Sequence, residues 1–132
     1  MAKTQTLPLL QETDVVLIRQ QVRKAAEAIR LGIISQTKIV TAASEIARNG
    51  LIYGGGGECV IEETLRAGKP ALRLVIKDHG PGIADIERAM VDGYTSGNGL
   101  GLGLSGSKRL VDEFLIDSRP GEGTTIELWK WR

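Results

Sequence analysis

One segment of the chain constrains the fold more than any other, because it combines a strand pattern with a carboxylate. Leu72, Leu74 and Ile76 recur at every second position, as on the buried face of a β-strand. Asp78 is the next residue on that face, and the chain then turns through His79-Gly80-Pro81-Gly82. A carboxylate that loses water is costly unless a hydrogen-bond donor meets it. The pattern is consistent with a ligand that supplies this donor, and equally with an Asx-type turn that ends the strand.

Composition excludes several classes of site. The 132 residues, 42% of them hydrophobic, fit a single compact domain over residues 1–132. A net charge of +1 without a basic run gives no reason to expect nucleic-acid or membrane partners. One cysteine and one histidine exclude an intramolecular disulfide and argue against structural zinc. No apolar run has the length of a signal peptide or membrane span, so a cytoplasmic location is expected.

Apolar periodicity and turn residues predict five strands and four helices. The strands are predicted at residues 4–10, 59–65, 71–77, 115–118 and 124–131. Pro8 marks the first as an edge strand, and Gly68 predicts a hairpin between the second and third. The first helix is expected to be capped by Asp14 and ended by Gly32. The others are predicted at residues 35–51, at residues 84–91, and from the glycine-rich loop through Phe114.

Glu45 and Asn49 are spaced four residues apart in the second predicted helix. They therefore stand one above the other, at the border of that helix's apolar stripe. A carboxylate and an amide at the edge of a core can hold a metal ion and poise a proton acceptor. A surface pair that makes ordinary hydrogen bonds is the simpler interpretation from these two residues alone.

Glycine is unusually abundant, with 17 residues, and eight of them fall between Gly80 and Gly106. The run 99–106 leads into a predicted helix, so its backbone N–H groups could approach phosphate oxygens near a helix N-terminus. Lys108 lies one turn into that helix and could add charge, or could simply be a solvated lysine. The letters G-x-G-x-x-G occur here, but they do not follow the strand that a dinucleotide-binding unit requires.

Four segments in a fixed order carry a resemblance to a known family. They are Glu45-Ile46-Ala47-Arg48-Asn49, Asp78-His79-Gly80-Pro81-Gly82, Gly99 to Gly103, and Gly123-Thr124-Thr125. In this order they resemble the GHKL ATPase superfamily, which contains gyrase, Hsp90, MutL and histidine-kinase catalytic domains. Residues 37–45, 108–114 and 129–132 further resemble RsbT-type serine/threonine switch kinases, which phosphorylate STAS-domain proteins in bacterial stressosomes.

The resemblance implies a fold, two cofactors and a set of roles. The fold would be an α/β two-layer sandwich of the Bergerat (GHKL) type, with a mixed, mostly antiparallel sheet and helices on one face. ATP and Mg²⁺ would be bound. Asp78 would accept a hydrogen bond from the adenine amino group, and the Thr124 hydroxyl would support the adenine side. Asn49 would coordinate Mg²⁺, and Glu45 would be the general base.

The glycines of the motifs also have implied roles. Gly80 and Gly82 would form the turn beneath the nucleotide, while Gly99, Gly101 and Gly103 would wrap the phosphates as a lid. The lid has no aromatic box, the single histidine lies in the turn after Asp78 and not in a phosphoacceptor helix pair, and 132 residues would not be expected to hold a second transducer domain. These departures separate the chain from histidine kinases and gyrases.

The function expected from the resemblance is Mg·ATP-dependent phosphorylation of a Ser or Thr on a STAS-domain partner, which would be both substrate and stressosome scaffold. A protein of this type, once released, would also activate a downstream phosphatase. An anti-sigma factor kinase that binds a sigma factor is one alternative. A nucleotide-sensing module without catalysis is another, although it would need neither Glu45 nor Asn49. A purely structural domain would leave Asp78 unexplained.

Overall fold

The computed structural model describes residues 3–83, 90 and 104–132 of the chain. These residues form, in order, β1 (Lys3–Leu9), α1 (Glu12–Ala28), α2 (Ile33–Ile52), β2 (Gly57–Arg66), β3 (Lys69–Asp78), α3 (Leu104–Leu110), β4 (Glu113–Ser118) and β5 (Thr124–Trp131). The strands make one sheet in the order β1-β2-β3-β5-β4. Each neighbouring pair in this described sheet is antiparallel. The predicted α/β sandwich with a mostly antiparallel sheet is confirmed, and every described strand pair is antiparallel.

The helices cover one face of the sheet because alternate residues of the central strands are apolar there. Leu72, Leu74 and Ile76 of β3 are buried, beside Ile126 and Leu128 of β5. Helices α1 and α2 add buried aliphatic and alanine side chains to the same cluster. Each large aliphatic side chain buried in this way contributes about 1.5–3 kcal/mol. This core holds α2 above β3 and leaves the strand ends available for a site.

Both ends of α1 differ from their predictions. Gln11, not Asp14, is the N-cap of α1, and the Asp14 carboxylate reaches back to accept the N–H groups of Leu10 and Gln11 at 2.8 and 3.1 Å. Helix α1 ends before Gly32, because Arg30 adopts the left-handed conformation with φ 62°. Gly32 is instead the N-cap of α2.

The hairpin between β2 and β3 turns at Gly68, as predicted. Ala67 and Gly68 have φ values of 52° and 82°, and Arg66 pairs with Lys69 on either side of them. Two central residues with positive φ define the turn whose twist matches antiparallel strands. This turn fixes the register of the whole hairpin.

The fourth predicted helix is shorter than expected. Helix α3 ends at Leu110, and Phe114 lies in β4, where it pairs with Leu128. The Asp112 carboxylate accepts the Trp131 N–H at 2.8 Å, and the Asp112 N–H donates to the Trp129 carbonyl at 2.9 Å. Pairing with β5 therefore overrides the helical spacing of the apolar residues. The helix predicted at 84–91 lies, apart from Met90, outside the described residues.

Candidate functional site

A row of three polar side chains crosses one end of the sheet on the face that carries the helices. Asp78 pairs with Thr124, and Thr124 pairs with Ser118, so the three stand side by side on β3, β5 and β4. Residues directly opposite in an antiparallel sheet point to the same face. The next row inward is Ile76 and its partners on β5 and β4, which belong to the core. We call Asp78, Thr124 and Ser118 the polar row.

Asp78 lies on the apolar face of β3, where its position in the sequence predicted it. Its Oδ1 atom accepts the Gly80 N–H at 2.9 Å, so the Asx-type turn offered as an alternative is present. That turn uses one carboxylate oxygen. Among the described residues, no donor meets the second oxygen, Oδ2. The turn and a ligand-binding role are therefore compatible, because each would use a different oxygen.

Two glycines bring the end of α2 against this turn. A Cβ atom on Gly54 would lie 2.2 Å from the Asp78 Cγ, and one on Gly80 would lie 2.4 Å from the Gly54 Cα. Both distances are far below van der Waals contact, so only glycine fits at either position. Gly50, one turn earlier in α2, also faces the Asp78 side chain. Gly54 follows the helix predicted at 35–51, and no pattern in the sequence indicates its contact with Asp78.

Gly82 lies where the turn passes the β4–β5 connection. Its φ is 77°, and a Cβ there would lie 2.1 Å from the Arg119 carbonyl oxygen. The Gly121 N–H donates to the Pro81 carbonyl at 2.6 Å in the same contact. The turn that follows Asp78 is thus held against the loop that precedes Thr124.

Ser118 also belongs to this site, although the sequence did not single it out. Its Oγ lies 2.7 Å from the Ile83 N, 2.8 Å from the Thr124 Oγ1 and 3.1 Å from the Gly123 O. The prediction placed Ser118 at the end of a strand. Only the register between β4 and β5, which periodicity does not give, places it beside Thr124.

Helix α2 reaches this end of the sheet at Gly50, and it carries the two predicted polar residues. Glu45 and Asn49 are both half-buried and one helical turn apart, and Asn49 directly precedes Gly50, which faces Asp78. Lys108 is exposed on α3, which packs against α2. The structure therefore brings Asp78, Gly80 and Thr124 together directly. Gly99, Gly101 and Gly103 lie outside the described residues.

Cys59 lies one row below the site, opposite Ile76, and is fully buried. Burial raises the pKa of its thiol to about 12, because the charged thiolate would lose its hydration. The thiol is therefore protonated at neutral pH. Cys59 is therefore a core residue and not a candidate nucleophile.

Comparison with known proteins now gives the family. Residues 34–131 match the family described as "Histidine kinase-, DNA gyrase B-, and HSP90-like ATPase". The chain belongs to this ATPase family. The family resemblance drawn from the four motifs is thereby confirmed, and the match includes α2, the polar row and the strands between them.

Individual relatives refine the comparison within the ATPase family. The chain is 45% identical over 123 residues to "Serine/threonine-protein kinase RsbT" of Bacillus subtilis, covering 93% of this chain and 92% of that protein. It is 37% identical over 101 residues to "Anti-sigma F factor" of Bacillus licheniformis, covering 71% and 68%. The structure of the RsbU and RsbW domains of Rv1364c from Mycobacterium tuberculosis shares the fold, with a TM-score of 0.67 at 22% identity. That match covers all of this chain and 33% of the other.

For this family member, the polar row and α2 offer the kinds of atoms that a nucleotide and its cation require. Mg²⁺ takes oxygen ligands and is usually held by one or two side chains together with substrate phosphates. Asn49, which precedes Gly50 in α2, carries an amide oxygen, and the Glu45 carboxylate is one helical turn away in sequence. The donor set therefore fits Mg²⁺ carried by a nucleotide.

No helix in the described ranges is long and apolar enough to cross a bilayer.

Proposed function

We propose that this protein is a cytoplasmic serine/threonine protein kinase that uses Mg·ATP. Its substrate would be a STAS-domain protein of a bacterial stress-signalling partner switch. The observation that carries the proposal is the 45% identity to a kinase of this kind over nearly the full length of both chains. The acceptor atoms of the polar row support binding of a base there, and the Asn49 amide and Glu45 carboxylate of α2 support a role for that helix at the phosphates.

The base would bind at the polar row. Asp78 Oδ2 would accept a hydrogen bond from the adenine amino group, while Oδ1 stays bound to Gly80. The Thr124 hydroxyl would support the same edge of the base from the neighbouring strand. Gly80 and Gly82 would let the base approach the backbone closely, since neither has room for a side chain.

The phosphates would extend from the base towards α2. Asn49 would hold Mg²⁺, which neutralises phosphate charge when bound, and Lys108 would add a positive charge at α3. The backbone of Gly99, Gly101 and Gly103 would surround the phosphates. Phosphoryl transfer depends mainly on positioning and charge neutralisation, which these groups would supply.

Glu45 would take the proton from the attacking Ser or Thr hydroxyl of the partner. The new bond would join that oxygen to the γ-phosphorus, the bond to the β–γ bridging oxygen would break, and ADP would leave. A half-buried carboxylate one turn from the Mg²⁺ ligand suits this role.

The similarity to anti-sigma F factors supports a second candidate, a kinase that also binds a sigma factor. A sigma factor retained on the immobilised protein would favour it. Retention of a phosphatase would instead favour the switch kinase, which we propose to activate a phosphatase after release from its STAS-domain partner.

The proposal is tested by transfer of labelled γ-phosphate from Mg·ATP into proteins of the source organism. Acid-stable label on a STAS-domain protein, lost with Glu45→Gln and kept with the exposed control Glu27→Gln, is the expected result. Acid-labile label would indicate histidine phosphorylation and refute the assignment. ATP binding without any transfer would make the protein a nucleotide-sensing module.

A further inference from the structure

The Ser118 hydroxyl makes three polar contacts that together determine where the protons lie. The Ile83 N–H donates to Ser118 Oγ at 2.7 Å. Ser118 Oγ also lies 3.1 Å from the Gly123 carbonyl oxygen and 2.8 Å from the Thr124 Oγ1. A hydroxyl has one proton to donate and two lone pairs with which to accept. Three hydrogen bonds would therefore use its full capacity.

Only one arrangement of the two hydroxyl protons makes all three contacts hydrogen bonds. The Gly123 carbonyl can only accept, so the Ser118 proton must point to it. The Thr124 hydroxyl must then donate its own proton to Ser118. If Ser118 donated to Thr124 instead, two acceptors would face each other at the Gly123 contact. The network consequently leaves Thr124 with lone pairs and no proton for a ligand.

Asp78, the neighbour of Thr124 in the polar row, is also a hydrogen-bond acceptor. The Asp78 carboxylate accepts hydrogen bonds, and its Oδ1 is already occupied by the Gly80 N–H. Asp78 and Thr124 are directly paired across β3 and β5, so both present acceptors at one edge of the site. A ligand atom between them must carry protons.

We propose that Ser118 is a positioning residue that makes the base site select a 6-amino purine over a 6-oxo purine, by holding Thr124 as a hydrogen-bond acceptor. The inference rests on the proposed nucleotide function. The adenine 6-amino group donates and is matched by both acceptors. The 6-oxo group of hypoxanthine only accepts and meets two acceptors. Ser118 acts through Thr124, without touching the base.

The selectivity is measured as the ratio of dissociation constants for ITP and ATP, because hypoxanthine differs from adenine only at position 6 and the adjacent N1 proton. Titration calorimetry on the whole protein is expected to show tighter binding of ATP. Ser118→Ala frees the Thr124 proton to turn towards the ligand and donate to a 6-oxo group. The ratio is expected to fall about five- to tenfold.

Two further variants separate selectivity from structural damage. Ser118→Thr keeps the hydroxyl and should restore the ratio. Thr125→Ala, on the next residue of β5 and the opposite face, should leave it unchanged. Ser118→Ala also removes the acceptor for Ile83, which would weaken both nucleotides equally. Equal weakening with a constant ratio would overturn the proposal.

A separate readout covers the case in which Ser118→Ala does not fold. Thr124→Val removes the acceptor itself, so it should lower the same ratio in an otherwise intact network. An unchanged ratio in Thr124→Val would also overturn the inference, as would equal binding of ATP and ITP by the unaltered protein. If the unaltered protein binds neither nucleotide, the proposed function fails first, and the two failures are thereby distinguished.

Discussion

Strands β3 and β5 carry polar clusters on both faces, and the two clusters are built in opposite ways. On the helix-covered face the polar row uses short side chains at the strand ends. On the other face Arg66, Arg73, Glu127, Trp129 and Trp131 form a second group, the tryptophan cluster. Strands β3 and β5 thus contribute to both clusters, and Ser118 of β4 completes the one with short side chains while Arg66 of β2 completes the one with long side chains.

The charged side chains of the tryptophan cluster all have partners within the protein, since Arg66 also pairs with Glu113 of β4. Arg66 lies 4.4 Å from the Trp129 ring centroid, and the Trp129 indole N–H donates to Glu127 at 2.6 Å. Arg73 donates to the other oxygen of Glu127 at 3.0 Å. Burial alone would raise the pKa of Glu127, but the hydrogen bonds from Arg73 and Trp129 lower it below its ordinary value. A cluster of this kind stabilises the sheet and is complete without a ligand.

Only part of the hydrogen-bonding capacity of the polar row is used within the protein. Ser118 uses all its hydrogen-bonding capacity within the protein, whereas Asp78 Oδ2 and Thr124 keep acceptor capacity in the described structure. The comparison teaches that charge and polarity alone do not mark a site. A binding site is instead indicated by polar groups that are fixed by contacts within the protein and that keep unused hydrogen-bonding capacity.

The largest effect is expected from Gly54→Ala, which tests whether the polar row depends on close packing. The added methyl group would overlap the Asp78 carboxylate, so we expect a loss of about 2–3 kcal/mol in stability and loss of ATP binding. Urea unfolding and calorimetry measure both. Gly32→Ala is the matched control, because its Cβ would meet nothing within 4 Å. Normal ATP affinity in Gly54→Ala would contradict the packing described here.

A smaller effect is expected from Asp78→Asn, which changes the chemistry of the polar row without changing its shape. The amide oxygen can still accept the Gly80 N–H, but the amide nitrogen replaces the acceptor that we propose for the adenine amino group. ATP affinity should fall about 30-fold, while the fold is retained. The exposed Asp117→Asn serves as control. Unchanged affinity in Asp78→Asn would remove Asp78 from the base site.

Trp129→Ala tests the opposite cluster and should give the opposite pattern. It removes the ring beneath Arg66 and the donor to Glu127, so stability should fall by about 1–2 kcal/mol. ATP affinity should remain within about twofold of that of the unaltered protein, because the ring is on the other face of β5. A large loss of affinity in a folded variant would show that the two clusters are coupled.

The smallest effect concerns acid stability through Glu127. Its folded-state pKa is lowered, so its stabilising contribution is present above the unfolded-state pKa and is lost as the pH falls through the folded-state value. Melting temperatures between pH 7 and pH 3 should therefore fall slightly more steeply in the unaltered protein than in Glu127→Gln. The difference should correspond to less than about 1 kcal/mol. Identical slopes would remove Glu127 from the acid response.

Much of this arrangement could be predicted from the sequence, for reasons that differ between elements. The strand at 124–131 was predicted with its observed bounds because its period-two pattern faces a core on one side. Asp78 was placed on the buried face by the same alternation. The start of α1 was predicted wrongly, because Asp14 caps by reaching back from the first turn.

The remainder depends on contacts between segments that are distant in the chain. Ser118 meets Thr124 only through strand register, and Gly54 meets Asp78 only through the packing of α2 on β3. Phe114 follows a helical pattern but pairs with Leu128 instead. Periodicity in the sequence predicts which face of an element a residue occupies. These contacts depend instead on which residue of a distant segment lies opposite.

The sheet order has a consequence for synthesis of the chain. Strand β5, the last strand in sequence among those described, lies between β3 and β4 in the sheet. The β2–β3 hairpin is local and can form early during translation, but β4 has no neighbour until β5 is available. Asp78 and Ser118 can therefore pair with Thr124 only after Thr124 has emerged from the ribosome. A nascent chain that ends before β5 would expose the edge of β3 and could not yet assemble the polar row.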